Sequence, residues 1–230
     1  MNQLNLTKIY MELDELFSEF KEAFYGDDFD KQLMLHESIQ KFSSKKSTLE
    51  YDKFLEDIEY FDECIELLHS KDWSLVGETE EVRIESKPTP DNFCTRTSLF
   101  VNANIFSVLC VLSEIELIPS WVDVITNTSM IREVSNTRKL AFYEFWFPWP
   151  ASHRECVLEF SSYPIRSEQA VIIMMKTPRH SSYLSTPVRA TSPERSLEVK
   201  IGALYVQFIS PTCSKVIFAV RAHANIVMIT

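Results

Sequence analysis

Apolar residues recur at three- and four-residue steps through the first third of the chain. Leu6, Ile9, Tyr10, Leu13, Leu16, Phe17, Phe20 and Phe24 fall on one helical face, which predicts an amphipathic helix. Gly26 and the acids after it end that helix and open a second, from about Asp28 to about Phe42. Ser43–Ser44–Lys45–Lys46–Ser47 is a polar break. From Thr48 the stripe resumes through Tyr51, Phe54, Leu55, Ile58, Phe61, Ile65 and Leu68, a third helix. No internal repeat turns these helices into a solenoid.

The period then shortens. Trp73–Lys87 and Phe93–Val101 are rich in Val, Ile, Thr and aromatics, with a Pro88–Asp91 turn between them, and read as strands. Ile105–Ile125 is apolar nearly all round and divided by Pro119, so it predicts an internal helix buried on several sides. Further strands are expected at Ile131–Val134, Lys139–Phe147, Arg154–Ser161, Ala170–Lys176, Leu197–Ile209 and Lys215–Ala222. The connector PRHSSYLSTPVRATSPERS reads as an exposed loop whose serines are open to phosphorylation. Consecutive strands with short turns make an antiparallel sheet, and the internal helix must pack on it. The class is α+β.

Composition narrows the chemistry. A hydrophobic share of 45% builds a sizeable core and excludes disorder. No apolar run approaches the ~18 residues of a membrane span, and the acidic N-terminus does not resemble a signal peptide, so a cytoplasmic protein is expected. Gly26, Gly77 and Gly202 are the only glycines and none neighbours another. Phosphate-cradling loops and the GxSxG elbow need clustered glycines, so nucleotide-dependent and serine-hydrolase chemistry are excluded. The five scattered cysteines and five histidines show no ligand spacing, which argues against zinc, metal catalysis and a disulfide framework. Residues 1–72 hold 8 Lys/Arg and 18 Asp/Glu, the remainder 15 of each, so the acidity belongs to the helices and nucleic acid is a poor partner. That surplus reads as a solvated face, with recruitment of a partner as the other reading.

Short motifs in order carry a resemblance. SEIELIPSWVD, with Trp121 and Asp123, is followed by FWFPWPASHREC, with Pro148-Trp149-Pro150 and then Arg154-Glu155. Upstream, Leu67-Leu68 leads to Trp73-Ser74-Leu75-Val76. From about Thr48 to Thr230 the chain resembles the START (steroidogenic acute regulatory protein-related lipid transfer) family, of the Bet v 1-like superfamily. The resemblance implies a helix-grip fold, a curved antiparallel sheet around a long helix, enclosing one apolar tunnel. It also implies binding of a single lipid, often moved between membranes, with no covalent chemistry and no cofactor. On this reading residues 1–47 are an acidic helical segment and 48–230 the lipid-binding domain. The rival is a START-like adaptor that transfers nothing and acts through its acidic helical surface.

Candidate lipid-contacting residues are Trp121, Phe142, Glu144, Trp146, Phe160, Met174 and Arg154. On Lys139–Phe147, alternation puts Leu140, Phe142, Glu144 and Trp146 on one face and Ala141, Tyr143, Phe145 and Phe147 on the other, one face lining the tunnel. Glu144 among aromatics needs a partner, either Arg154 or another base, or a lipid hydroxyl. Met130, Met174 and Met175 suit an adaptable wall. Arg96 and Arg132 are further polar anchors or surface residues. Pro148 and Pro150 stop a strand, and with Arg154-Glu155 they read as holding a sheet corner. Members that bind phosphatidylcholine carry an Arg beside the Trp-Asp element, and LIPSWVD has none. Some sterol-type members carry an Arg six residues beyond the position of Arg154, where Phe160 stands. The family also closes its tunnel with a C-terminal helix, due where this sequence reads HANIVMIT, ending with Ile226, Val227, Met228 and Ile229 before Thr230. A missing lid is expected to be replaced by the first helix, through Leu13, Leu16, Phe17 and Phe20, or by self-association or a protein partner. Expected partners are a lipid and, transiently, a membrane.

Overall fold

Helix ends are set by local chemistry. In the computed structural model, which describes residues 3–42, 46–89, 93–147, 153–188 and 195–224, α1 spans Gln3–Tyr25, with side chains described from Met11 onward. Helix α2 (Phe29–Ile39) begins where the Asp28 carboxylate accepts from the Lys31 N–H at 3.1 Å. Helix α3 (Leu49–His69) is capped by the Thr48 hydroxyl, which accepts from the Tyr51 N–H. Glu50 and Asp52 in its first turn and His69 in its last complement the helix dipole.

Nine strands form one antiparallel sheet. β1 (Ser74–Glu78), β2 (Val82–Pro88) and β3 (Phe93–Val101) make one meander. β4 (Ile125–Glu133), β5 (Arg138–Trp146), β6 (His153–Ile165) and β7 (Ala170–Lys176) make a second. A short hairpin, β8 (Ser182–Tyr183) with β9 (Thr186–Pro187), precedes the long hairpin of β10 (Leu197–Ser210) and β11 (Cys213–Ala224). That long hairpin joins the meanders, giving the order β1-β2-β3-β11-β10-β7-β6-β5-β4. The β-like segment Trp73–Lys87 is two strands. Its turn has no Gly, Pro or Asn; instead the Thr79 N–H donates to Val82 O at 2.8 Å and the Thr79 hydroxyl accepts from the Val82 N–H at 3.0 Å.

The expected internal helix is shorter and less buried than its composition implies. α4 covers only Ile105–Ser113, followed by a 3-10 helix at Ile115–Ser120 that contains Pro119. Glu114, with ψ 71°, breaks the α-helical path between them. Of α4 only Val108 is buried, whereas Phe106 and Val111 are exposed. Nothing among the described residues covers their side of the helix, and composition alone cannot show that. The connector after β7 is also not wholly exposed. Tyr183 and Leu184 are buried against α1, α2 and α3, and the Leu184 carbonyl accepts from Arg132 Nη1 at 2.6 Å.

Helices α1, α2 and α3 dock on one side of the sheet. Leu13, Phe17, Phe20 and Phe24 of α1 bury against Tyr51 and Phe54 of α3 and Leu140 and Val157 of the sheet, not on the opposite, tunnel side. Between α3 and the sheet lies a buried ionic cluster. Asp57 accepts from Lys53, from Ser161 at 3.0 Å and from Tyr163 at 2.8 Å, and pairs with Arg138 at 3.8 Å. Glu159 pairs with Lys53 at 3.5 Å and Lys176 at 3.3 Å. Arg138, wholly buried, also donates to Gln32 and stacks its guanidinium 3.9 Å from the Phe24 ring centroid.

Candidate functional site

The sheet's two faces differ in how completely they are covered, and β7 shows this residue by residue. Ala170, Ile172, Met174 and Lys176 point to the helices and are buried; Val171, Ile173 and Met175 point away and are only half-buried. Register carries this second face across the sheet. Phe160 stands opposite Met175, Met175 opposite Gly202, and Gly202 opposite Val220. In the next row Ser162, Ile173, Leu204, Phe218 and Thr97 follow one another strand by strand. Phe160, Leu204 and Phe218 are also half-buried. Two clusters bound this trough. At one end Val108 of α4 packs on Val206 and Val216; at the other Ile115 and Ile118 pack on Ala141, Tyr143, Cys156 and Leu158.

The sequence candidates divide between the faces. Phe160 and Arg154 lie on the trough face, in alternation with Cys156 and Leu158. Trp121, just after the 3-10 helix at the same end, is 48% exposed. Phe142, Glu144, Trp146 and Met174 lie on the other face. Phe142 packs into the α1–α3 core and Met174 against Tyr60 and Cys64 of α3, while Trp146 is half exposed. The alternation on β5 was read correctly, but only the docking of α1–α3 decides which half faces a ligand. Glu144 pairs with His153 at 3.5 Å, not with Arg154, because adjacent residues on β6 point to opposite faces. Arg154 is buried and its Nη1 donates to the His153 carbonyl at 3.0 Å. The Pro148–Pro150 turn and HANIVMIT from Asn225 on lie outside the described residues.

Met175, one of the methionines expected in an adaptable wall, lies on the trough face, and Tyr143 is a trough residue not among the lipid-contacting candidates. Tyr143 is buried beside Phe160, ring centroids 5.9 Å apart, and its hydroxyl has no hydrogen-bond partner among the described residues. Burial pushes this phenol well above its ordinary range, so it remains a neutral donor. Period-two alternation places it on one face with Ala141 and Phe145; nothing local marks it further.

Comparison with solved structures agrees with this topology. Human StAR-related lipid transfer protein 5 superposes with a TM-score of 0.64 at 11% identity, over 76% of this chain and 83% of that one. The fold is START-like. Human STARD10 gives 0.61 at 15% identity, over 75% of this chain and 69% of its own. The STAR-related lipid transfer protein of Xanthomonas axonopodis gives 0.53 at 16%, over 67% and 82%. No protein-family model and no curated protein matches the chain. The START-like helix grip is thus evident in tertiary structure at sequence identities that show the fold alone.

Proposed function

We propose that the trough binds a single lipid with an uncharged polar end. The observation that carries this reading is the unequal covering of one sheet. On β7 every helix-facing side chain is buried, yet on the other face Ile173 and Met175, with Leu204, Phe218 and Phe160 on the neighbouring strands, stay half-open to water. A ligand that covers them gains about 0.8 kcal/mol per buried CH₂. Similarity to proteins named for lipid transfer supports the ligand class. The polar end meets the Tyr143 hydroxyl. Phe106, Leu117 and Trp121 are 76%, 58% and 48% exposed next to the trough, where they suit transient contact with a membrane during uptake and release, without chemistry on the lipid. Among the described residues no helix is long and apolar enough to cross one.

The test is native mass spectrometry of the purified protein, followed by lipid extraction. One neutral lipid per chain is the expected result, with uptake of a fluorescent sterol or diacylglycerol weakened about five- to tenfold by Tyr143→Phe, the loss of one hydrogen bond. An empty protein that takes up neither probe overturns the reading. The adaptor acting through the acidic helical surface then remains.

A further inference from the structure

A cavity of about 470 Å³ opens on the helix-covered side of the sheet, opposite the trough and beyond the end of α3. Its floor is one row of side chains on four neighbouring strands. Arg83 stands opposite Ser98, Ser98 opposite Ile217, and Ile217 opposite Tyr205. Leu68 and His69 from the last turn of α3 form one wall; Glu85, Arg96, Glu168, Gln207 and Lys215 complete the lining.

The polar groups here are unequally used. Both oxygens of Glu85, itself buried, are taken by Arg83 at 3.1 Å and Arg96 at 2.7 Å. Arg96 spends its remaining donors on the carbonyls of Leu68 and Ser70. Glu168 accepts from the Tyr205 hydroxyl, and its backbone carbonyl accepts from Gln207. The carboxylates are thereby engaged. The half-buried ammonium of Lys215, the Ser98 hydroxyl and the His69 ring have no side-chain partner among the described residues. Arg83 also pairs with Glu78, outside the lining, at 3.0 Å, so the charge left without a carboxylate partner among the described residues is that of Lys215, in a chain whose net charge is −10. A cavity with surplus donors and positive charge, floored partly by Ile217 and Leu68, complements an anionic head on a small apolar body.

We propose that this cavity is a second ligand site, for a small organic anion carrying a carboxylate or a phosphate, with Lys215 and Arg83 as its charge partners. The site is separated from the trough by the thickness of the sheet, so it does not rest on the lipid reading. Isothermal titration of the full chain with phenyl phosphate, phenylacetate and uncharged benzyl alcohol tests it. Saturable binding of one or both anions and none of the alcohol is expected, and the preferred anion identifies the head group. Lys215→Gln and Arg83→Gln are each expected to weaken that binding about tenfold or more, the loss of one charge-assisted contact. Both side chains reach solvent, so both variants should keep the wild-type circular dichroism, and lipid uptake should be unchanged. Absence of saturable binding to wild type at millimolar anion overturns the proposal, as does binding that survives both substitutions.

Discussion

At the residue scale, the decisive features are buried charges and one bare backbone position. Burial alone raises the Asp57 carboxyl, but Lys53 and Arg138 more than reverse that and hold it below its ordinary value near 3.8. A carboxylate depressed in the folded state stabilises the fold above its unfolded value, and that contribution disappears as pH falls through the folded value. Asp57→Asn leaves Lys53 with only Glu159 and Arg138 with only Asp27 as carboxylate partners, and should cost about 3–5 kcal/mol at neutral pH. Urea titrations across pH should also show a shallower acid decline for the variant; equal stability at pH 7 would mean that the cluster contributes nothing. Arg138 itself, the keystone of this cluster, was not legible in the chain. Next to Lys139 at a strand start it looks like any exposed base, and only the arrival of Phe24, Gln32 and Asp57 from distant helices makes it buried.

At the element scale, α3 is fastened to the sheet through backbone. The Tyr60 hydroxyl donates to the Met175 carbonyl at 2.6 Å and accepts from the Gly202 N–H at 2.9 Å. Removing it with Tyr60→Phe leaves both groups without that partner and should lower stability by about 1–3 kcal/mol in chemical denaturation. Gly202 is required on the opposite face, where an added Cβ would stand 2.8 Å from the Met175 carbonyl oxygen and 2.4 Å from its side chain. Strand β7 offers a direct test of the two faces. Ile173→Trp should fold and abolish lipid uptake by filling the trough, whereas Ile172→Trp should overpack the α3 interface and destabilise the fold. Thermal unfolding and probe uptake, measured together, check this; the reverse pattern would place the ligand under the helices.

At the scale of the whole molecule, the boundary near residue 47 falls between helices that share one core. Leu13, Phe17, Phe20 and Phe24 of α1 and Leu35 and Ile39 of α2 are buried with Tyr51, Phe54, Leu140 and Val157. A chain beginning at Thr48 would expose that apolar surface while keeping the sheet. It is therefore expected to unfold at lower temperature than the full chain and to self-associate by light scattering. Two clean monomers of equal stability would show the first two helices to be dispensable. The acids of α1 and α2 that face outward keep this helical layer solvated, and the cationic cavity lies on the same side of the sheet at the other end of α3.

Local pattern determined the helices, most strands, the antiparallel α+β class and, through the ordered Trp-Asp and Arg-Glu motifs, the START-like fold. Periodicity and capping act within a few residues, so Thr48, Asp28 and the alternation along β5 were readable directly. Which half of each strand faces a ligand was not. Both halves of β5 are apolar, and their environments differ only because helices from sequence positions some hundred residues away cover Leu140 and Phe142 and leave Tyr143 and Phe145 to the other side. The same holds for Ser98, Ile217 and Tyr205, which lie in three separate strands and become one cavity floor only when the β10–β11 hairpin joins the two meanders. A chain's own period reports that a side chain points to one of two faces; only long-range packing decides what each face meets.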